Sequence, residues 1–121
     1  MLLPPGWPAM QGRPLEEIAA FQWETTNRIV LDDLGTLPRQ RWTSLSYADL
    51  LADPAHAVRR LCQFIGIEAD PALLQRASGP LPLSRYTLTP PAADKWRRNE
   101  AAIRRVLLAI DATWQRLREI T

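Results

Sequence analysis

The sequence holds one cysteine, one histidine and one lysine, and each scarcity removes a class of function. A single thiol, Cys62, cannot close an internal disulfide. A disulfide-stapled scaffold is therefore excluded, and a reducing, cytoplasmic location is expected. One His and one Cys are too few soft ligands for a structural zinc site. No apolar run approaches the roughly 20 residues that cross a bilayer. Residues Met1 to Pro8 also lack the basic start and unbroken apolar stretch of a secretory signal, so no membrane role is expected. Glycine is scarce as well, at five residues. Neither G-x-x-x-x-G-K-[ST] nor G-x-G-x-x-G occurs, so no glycine-rich phosphate cradle is encoded.

What is present is apolar and arginine-rich. A hydrophobic fraction of 46% with five Trp requires a packed core. Fourteen of the fifteen basic residues are Arg, yet the net charge is only +2, too slight to indicate a nucleic-acid partner. Proline and glycine crowd residues 1–13, which read as an irregular arm. Residues 14–121 read as a single, mainly helical domain. Pro14 suits a first helical position, Glu16 and Glu17 suit the positive end of the dipole, and Gly35 is the expected stop. Between them Leu15, Ile18, Ala19, Gln22, Thr26 and Ile29 keep a helical period.

The β-favouring stretch Arg41–Tyr47 predicts one strand. It would be alone, and a lone strand leaves backbone N–H and C=O groups unpaired on both edges, so dimerisation or another pairing partner is expected. Asp53-Pro54 and Asp70-Pro71 each place a capping carboxylate before a proline at the first helical position. The first of these helices should bury Ala57, Val58, Leu61, Cys62 and Ile65 and end at Gly66; the second should close at Gly79. Residues 80–91, with four prolines, form an extended loop. Asp94 then opens the longest helix, whose apolar stripe is Trp96, Ile103, Leu107, Ile110, Trp114 and Leu117.

Few residues could do chemistry. His56 lies one turn into a helix and Cys62 on the buried stripe of the same helix, so neither suits a nucleophile or base; no catalytic or metal-binding residue is assigned. Three stretches exceed what core packing demands: Tyr47-Ala-Asp-Leu-Leu-Ala-Asp-Pro54, Leu81 to Pro91, and Asp94-Lys-Trp-Arg-Arg-Asn99. Lys and Arg beside an indole at a helix start suit a phosphate. A solvated face with Asp94–Arg98 and Glu100–Arg104 pairs is the alternative. Tyr47 can likewise be a half-buried core tyrosine.

In order, Trp23-x-x-x-Asn27, Arg41-Trp-x-x-Leu-x-Tyr-x-Asp-Leu50, Asp53-Pro54, Arg60-Leu-Cys-x-Phe-Ile-Gly66, Leu81-Pro-x-Ser84-x-x-Thr87 and Lys95-Trp-Arg-x-Asn99 resemble the C-terminal portion of bacterial sulfotransferases. Those enzymes use 3′-phosphoadenosine 5′-phosphosulfate (PAPS). The resemblance implies a P-loop-like α/β parent fold with a central parallel sheet. It implies Tyr47 on the adenine side of the nucleotide, Lys95, Trp96 and Arg97 at its 3′-phosphate, and Ser84 and Arg85 on the same rim. One departure is Ala48, where the family commonly has Glu. The family's loop for the 5′-phosphosulfate, its catalytic base and its Arg/Ser pair for the 3′-phosphate have no counterpart here. The expectation is therefore the C-terminal part of a sulfotransferase, inactive alone, with a homodimer, or a chain that supplies the missing N-terminal half, as the expected partner. The rival from another class is a non-catalytic helical protein-interaction module.

Overall fold

The structure is a computed structural model and describes residues 3–79, 82–90, 92 and 94–120. Its helices are α1 (Leu15–Gly35), α2 (Tyr47–Ala52), α3 (Pro54–Ile65), α4 (Pro71–Ala77) and α5 (Glu100–Ile120). Short 3-10 helices occupy Trp7–Met10, Arg39–Arg41 and Lys95–Asn99. The chain divides into two compact units, Met1–Pro38 with Pro91–Ile120 and Arg39–Pro90.

In the first unit, α1 starts one residue later than its proline suggests. Pro14 takes the cap position with ψ 147, and its carbonyl accepts from the N–H groups of Glu17 and Ile18 at 3.1 Å. The other end also differs from the glycine stop. Gly35 is the last helical residue, and Thr36 closes the helix by donating its hydroxyl to the Asp33 carbonyl at 2.7 Å. A left-handed glycine is unnecessary where a hydroxyl satisfies a terminal carbonyl.

Helices α1 and α5 pack side by side, and their contacts run in the same order along both. Glu16 meets Arg105 at 2.9 Å, Glu24 meets Thr113 at 3.3 Å, and Asp32 meets Arg116 at 2.8 Å. The two helices are therefore parallel. Their contact is polar at its most buried point. Thr25 and Thr113 are its most buried residues, at 4% and 3% exposure, and both donate their hydroxyls to the Glu24 carboxylate, Thr25 at 3.3 Å. Half of the expected apolar stripe of α5 packs inward: Ile103, Ile110 and Leu117 are half-buried. Leu107 and Trp114 remain 44% and 49% exposed, and the inward face continues instead through the half-buried Val106 and the buried Thr113. Trp114 still reaches Trp23, with ring centroids 6.4 Å apart and planes tilted by 48°. Asn27, one turn beyond Trp23, donates its amide to the Trp23 carbonyl at 2.7 Å, which gives the Trp-x-x-x-Asn spacing a local structural role.

The helix expected to open at Asp94 begins instead as a 3-10 turn. Lys95–Asn99 are 3-10, Asp94 makes no side-chain cap, and α-helix starts at Glu100. At 21 residues α5 equals α1 in length and is not the longest helix, and the basic cluster sits on the tighter turn that leads into it.

The second unit is built from capped short helices. Asp53 accepts from the His56 N–H at 2.9 Å and Asp70 from the Ala72 N–H at 2.6 Å, each followed by proline at the first helical position. Gly66 closes α3 at φ 80, with the Ile67 N–H reaching back to the Cys62 carbonyl at 3.0 Å, a left-handed cap that glycine adopts without a Cβ penalty. At the end of α4 the closing group is Ser78, whose hydroxyl donates to the Gln75 carbonyl at 2.7 Å, and not Gly79. Small residues make this core: Ala57, Cys62 and Ala77 are buried, Val58 and Leu61 are half-buried, and Ile65 is exposed.

The lone strand does not form. No strand occurs among the described residues. Arg39–Arg41 make a 3-10 turn, residues 42–46 take no regular structure, and Tyr47 is already helical. Two local forces replace a ladder that has no neighbour to pair with. Ser46 caps α2 by accepting from the N–H groups of Ala48 and Asp49 at 3.2 and 3.4 Å. Arg39 grips Trp42, donating to its carbonyl at 2.9 Å with the guanidinium 4.1 Å from the ring centroid. The indole N–H of Trp42 is buried without a partner.

Candidate functional site

Three short segments carry the candidate residues. Tyr47, Ser84 and Arg85 belong to the unit 39–90, and Lys95, Trp96 and Arg97 to the unit that holds α1 and α5. Tyr47 is the first residue of α2, placed there by the Ser46 cap, and its side chain is 73% exposed. The alternative of a half-buried core tyrosine is thereby removed.

Ser84 to Thr87 form a turn closed by the Thr87 N–H donating to the Ser84 carbonyl at 2.9 Å. The Ser84 hydroxyl accepts from the Tyr86 N–H at 3.2 Å, and the Arg85 guanidinium sits 4.7 Å from the Tyr86 ring centroid. Arg85 also donates to the Tyr86 hydroxyl at 2.5 Å. Residue-type reasoning passed over Tyr86; its signal was its place beside an arginine inside a proline-bounded loop. Pro80, Leu81 and Pro91, which begin and end that loop, lie outside the described residues.

In the third segment Lys95 is half-buried and Trp96 and Arg97 are exposed, with the Arg97 guanidinium 5.4 Å from the Trp96 ring centroid. Of the two ion pairs that would make this a merely solvated face, Glu100–Arg104 forms at 2.6 Å. An Asp94–Arg98 pair does not form among the described residues, which leaves Arg98 uncommitted to that carboxylate.

Lys95 and Arg97 in the one unit are cations of the kind that meet a phosphate, and Tyr47 and Tyr86 in the other are flat aromatic surfaces of the kind that meet a base. His56 is exposed on α3, Cys62 is buried, and among the described residues no group of three or more His, Cys, Asp or Glu could hold a metal ion. No described helix is long and apolar enough to cross a membrane.

A model of the sulfotransferase family matches residues 7–71. The match takes in α1, the Arg41–Leu50 stretch with Tyr47, and α3, and it stops before Ser84, Arg85 and the Lys95–Arg97 segment. No curated protein and no solved structure matches the chain.

Proposed function

Because the chain belongs to the sulfotransferase family, we propose that its residues form the nucleotide edge of a PAPS-dependent enzyme that transfers a sulfuryl group to an acceptor hydroxyl or amine. PAPS, when bound, supplies a sulfuryl group activated by its phosphate leaving group. Lys95 and Arg97 hold the 3′-phosphate, Trp96 carries the Arg97 guanidinium, Tyr47 faces the adenine, and Ser84 and Arg85 complete the rim. The chain has no counterpart to the loop that grips the phosphosulfate or to the catalytic base, so it is inactive alone. Sulfuryl transfer needs acceptor, sulfur and leaving oxygen in line, with positive charge on the developing anion. Another chain, in the cytoplasm, supplies those elements.

The observation that carries this reading is the parallel pairing of α1 and α5. Helices joined by short loops in a bundle alternate direction. Parallel neighbours need a long crossover, and the common reason for one is a parallel sheet beneath both helices. Residues 36–99 are that crossover. The large apolar side chains left exposed on α5, Leu107, Leu108 and Trp114, suit such a layer. A self-contained helical module would instead have turned those side chains inward as well, where burying each contributes about 1.5–3 kcal/mol.

The test is a calorimetric titration of the purified chain with adenosine 3′,5′-bisphosphate. Saturable binding that Lys95→Ala/Arg97→Ala weakens at least about tenfold, each charged hydrogen bond contributing about 1.5–3 kcal/mol, is the expected result. No binding at millimolar ligand would overturn the nucleotide role and leave the interaction module as the better account.

A further inference from the structure

Tyr86 stands in an arrangement that nothing in the family match covers. The chain has two tyrosines, and both are 73% exposed. They differ in how they are held. Tyr47 has no ring contact among the described residues, and only the N-terminal position on α2 orients it. Tyr86 is fixed at three points: its N–H donates to the Ser84 hydroxyl, its phenol oxygen accepts from Arg85, and the Arg85 guanidinium lies over its ring at 4.7 Å. Pro82 and Pro90 restrict the backbone on either side.

An exposed tyrosine ordinarily samples several rotamers, and ordering it opposes binding. A ring already ordered, with a planar cation on one face and solvent on the other, avoids that cost. The open face then accepts a second flat π-system. Base-on-aromatic stacking tolerates any base, because every base has such a face.

We propose that Tyr86 is a stacking platform for the purine of the nucleotide, braced from behind by Arg85. This inference rests on the nucleotide reading above and adds to it: the adenine is held by the Ser84–Thr87 turn as well as by the edge at Tyr47. Arg85 then acts on the ring and not directly on a phosphate.

The experiment uses two probes, adenosine 3′,5′-bisphosphate and the corresponding 1-deoxyribose 3,5-bisphosphate that lacks the base. Each is titrated into the full chain and its Tyr86→Ala and Tyr86→Phe variants. Tyr86→Ala is expected to weaken the adenosine probe about tenfold while leaving the abasic probe unchanged. Tyr86→Phe, which keeps the ring, should stay within about twofold of the unaltered chain for both. Equal adenosine affinity in Tyr86→Ala would overturn the platform. So would an equal loss for both probes, which would mean that the turn had collapsed. If the unaltered chain takes up neither probe, the nucleotide reading itself falls and the platform with it. Adenosine binding that survives Tyr86→Ala but not Lys95→Ala/Arg97→Ala would sink the platform alone.

Discussion

In the unit built on α1 and α5, carboxylates and guanidiniums pair; in the unit 39–90 they do not. All six ion pairs found among the described residues lie in the first unit, among them Arg105–Glu16, Arg28–Glu24 and Arg116–Asp32. The second unit has six arginines and four carboxylates, and no ion pair among its described residues. Its carboxylates Asp53 and Asp70 cap helices, and its arginines Arg39 and Arg85 lie over aromatic rings. Charge in the first unit thus aligns two helices in one register. In the second it is divided between backbone termination and guanidiniums still able to meet an anion. Exposed ion pairs contribute only about 0.2–1 kcal/mol each, so the first unit's pairs specify the parallel register more than they stabilise it. The exception is Glu24, where burial raises the stakes.

Removing that carboxylate is the strongest way to break the comparison. Glu24→Ala leaves the hydroxyls of Thr25 and Thr113 without an acceptor at the most buried point of the α1–α5 contact. Each orphaned buried hydroxyl costs about 1–3 kcal/mol, so a loss of about 3 kcal/mol is expected on urea unfolding. Glu24→Gln retains one acceptor oxygen and should recover about half of it. An unchanged midpoint for Glu24→Ala would mean that the polar contact does not hold the helices together.

In the second unit the carboxylates work as hydrogen-bond acceptors more than as charges, and a smaller effect tests that. Asp53→Ala removes the acceptor for the His56 N–H and should cost about 1 kcal/mol, seen as lost helicity and a lower unfolding midpoint. Asp53→Asn should stay within a few tenths of a kcal/mol of the original, since Asn caps about as well without charge. If Asn behaved like Ala, the charge itself would be stabilising α3, and the contrast between the units would narrow.

The contrast also marks where sequence reasoning holds and where it stops. Asp53-Pro54, Asp70-Pro71 and Gly66 act as expected because capping and left-handed closure are decided within four or five residues. Cys62 is buried as its place on the α3 stripe suggests. The strand at Arg41–Tyr47 fails because strand propensity needs a partner, and propensity alone does not supply one. The α5 stripe is read half correctly for a related reason. Periodicity finds Ile103, Ile110 and Leu117, which are half-buried, but it also admits Leu107 and Trp114, which stay exposed while Val106 and Thr113 turn inward; the polar partners along this helix pair lie 84 to 89 positions away. At the candidate site, Tyr47, Ser84, Arg85, Lys95, Trp96 and Arg97 were named from motif order. Tyr86 was missed because only geometry shows that Arg85 leans on it.

The smallest effect sharpens the comparison most finely, because it separates charge from hydrogen bonding at one residue of the first unit. The Glu16 carboxyl is held below its ordinary value of 4.5, first by a hydrogen bond from its own backbone N–H and second by the Arg105 side chain. A carboxyl whose folded-state pKa is depressed stabilises the fold above the unfolded-state value. That contribution is lost as pH falls through the folded-state value, so the window lies below about pH 4.5. Arg105→Ala removes the second cause and leaves the first. An NMR titration of Glu16 should therefore find its carboxyl still below the ordinary value in Arg105→Ala, though less so than in the unaltered chain. A return to the ordinary value would make the Arg105 pair the dominant force on Glu16. The ion pairs of the α1–α5 contact would then be anchors for the helix pair, and register alone would be too small a role for them.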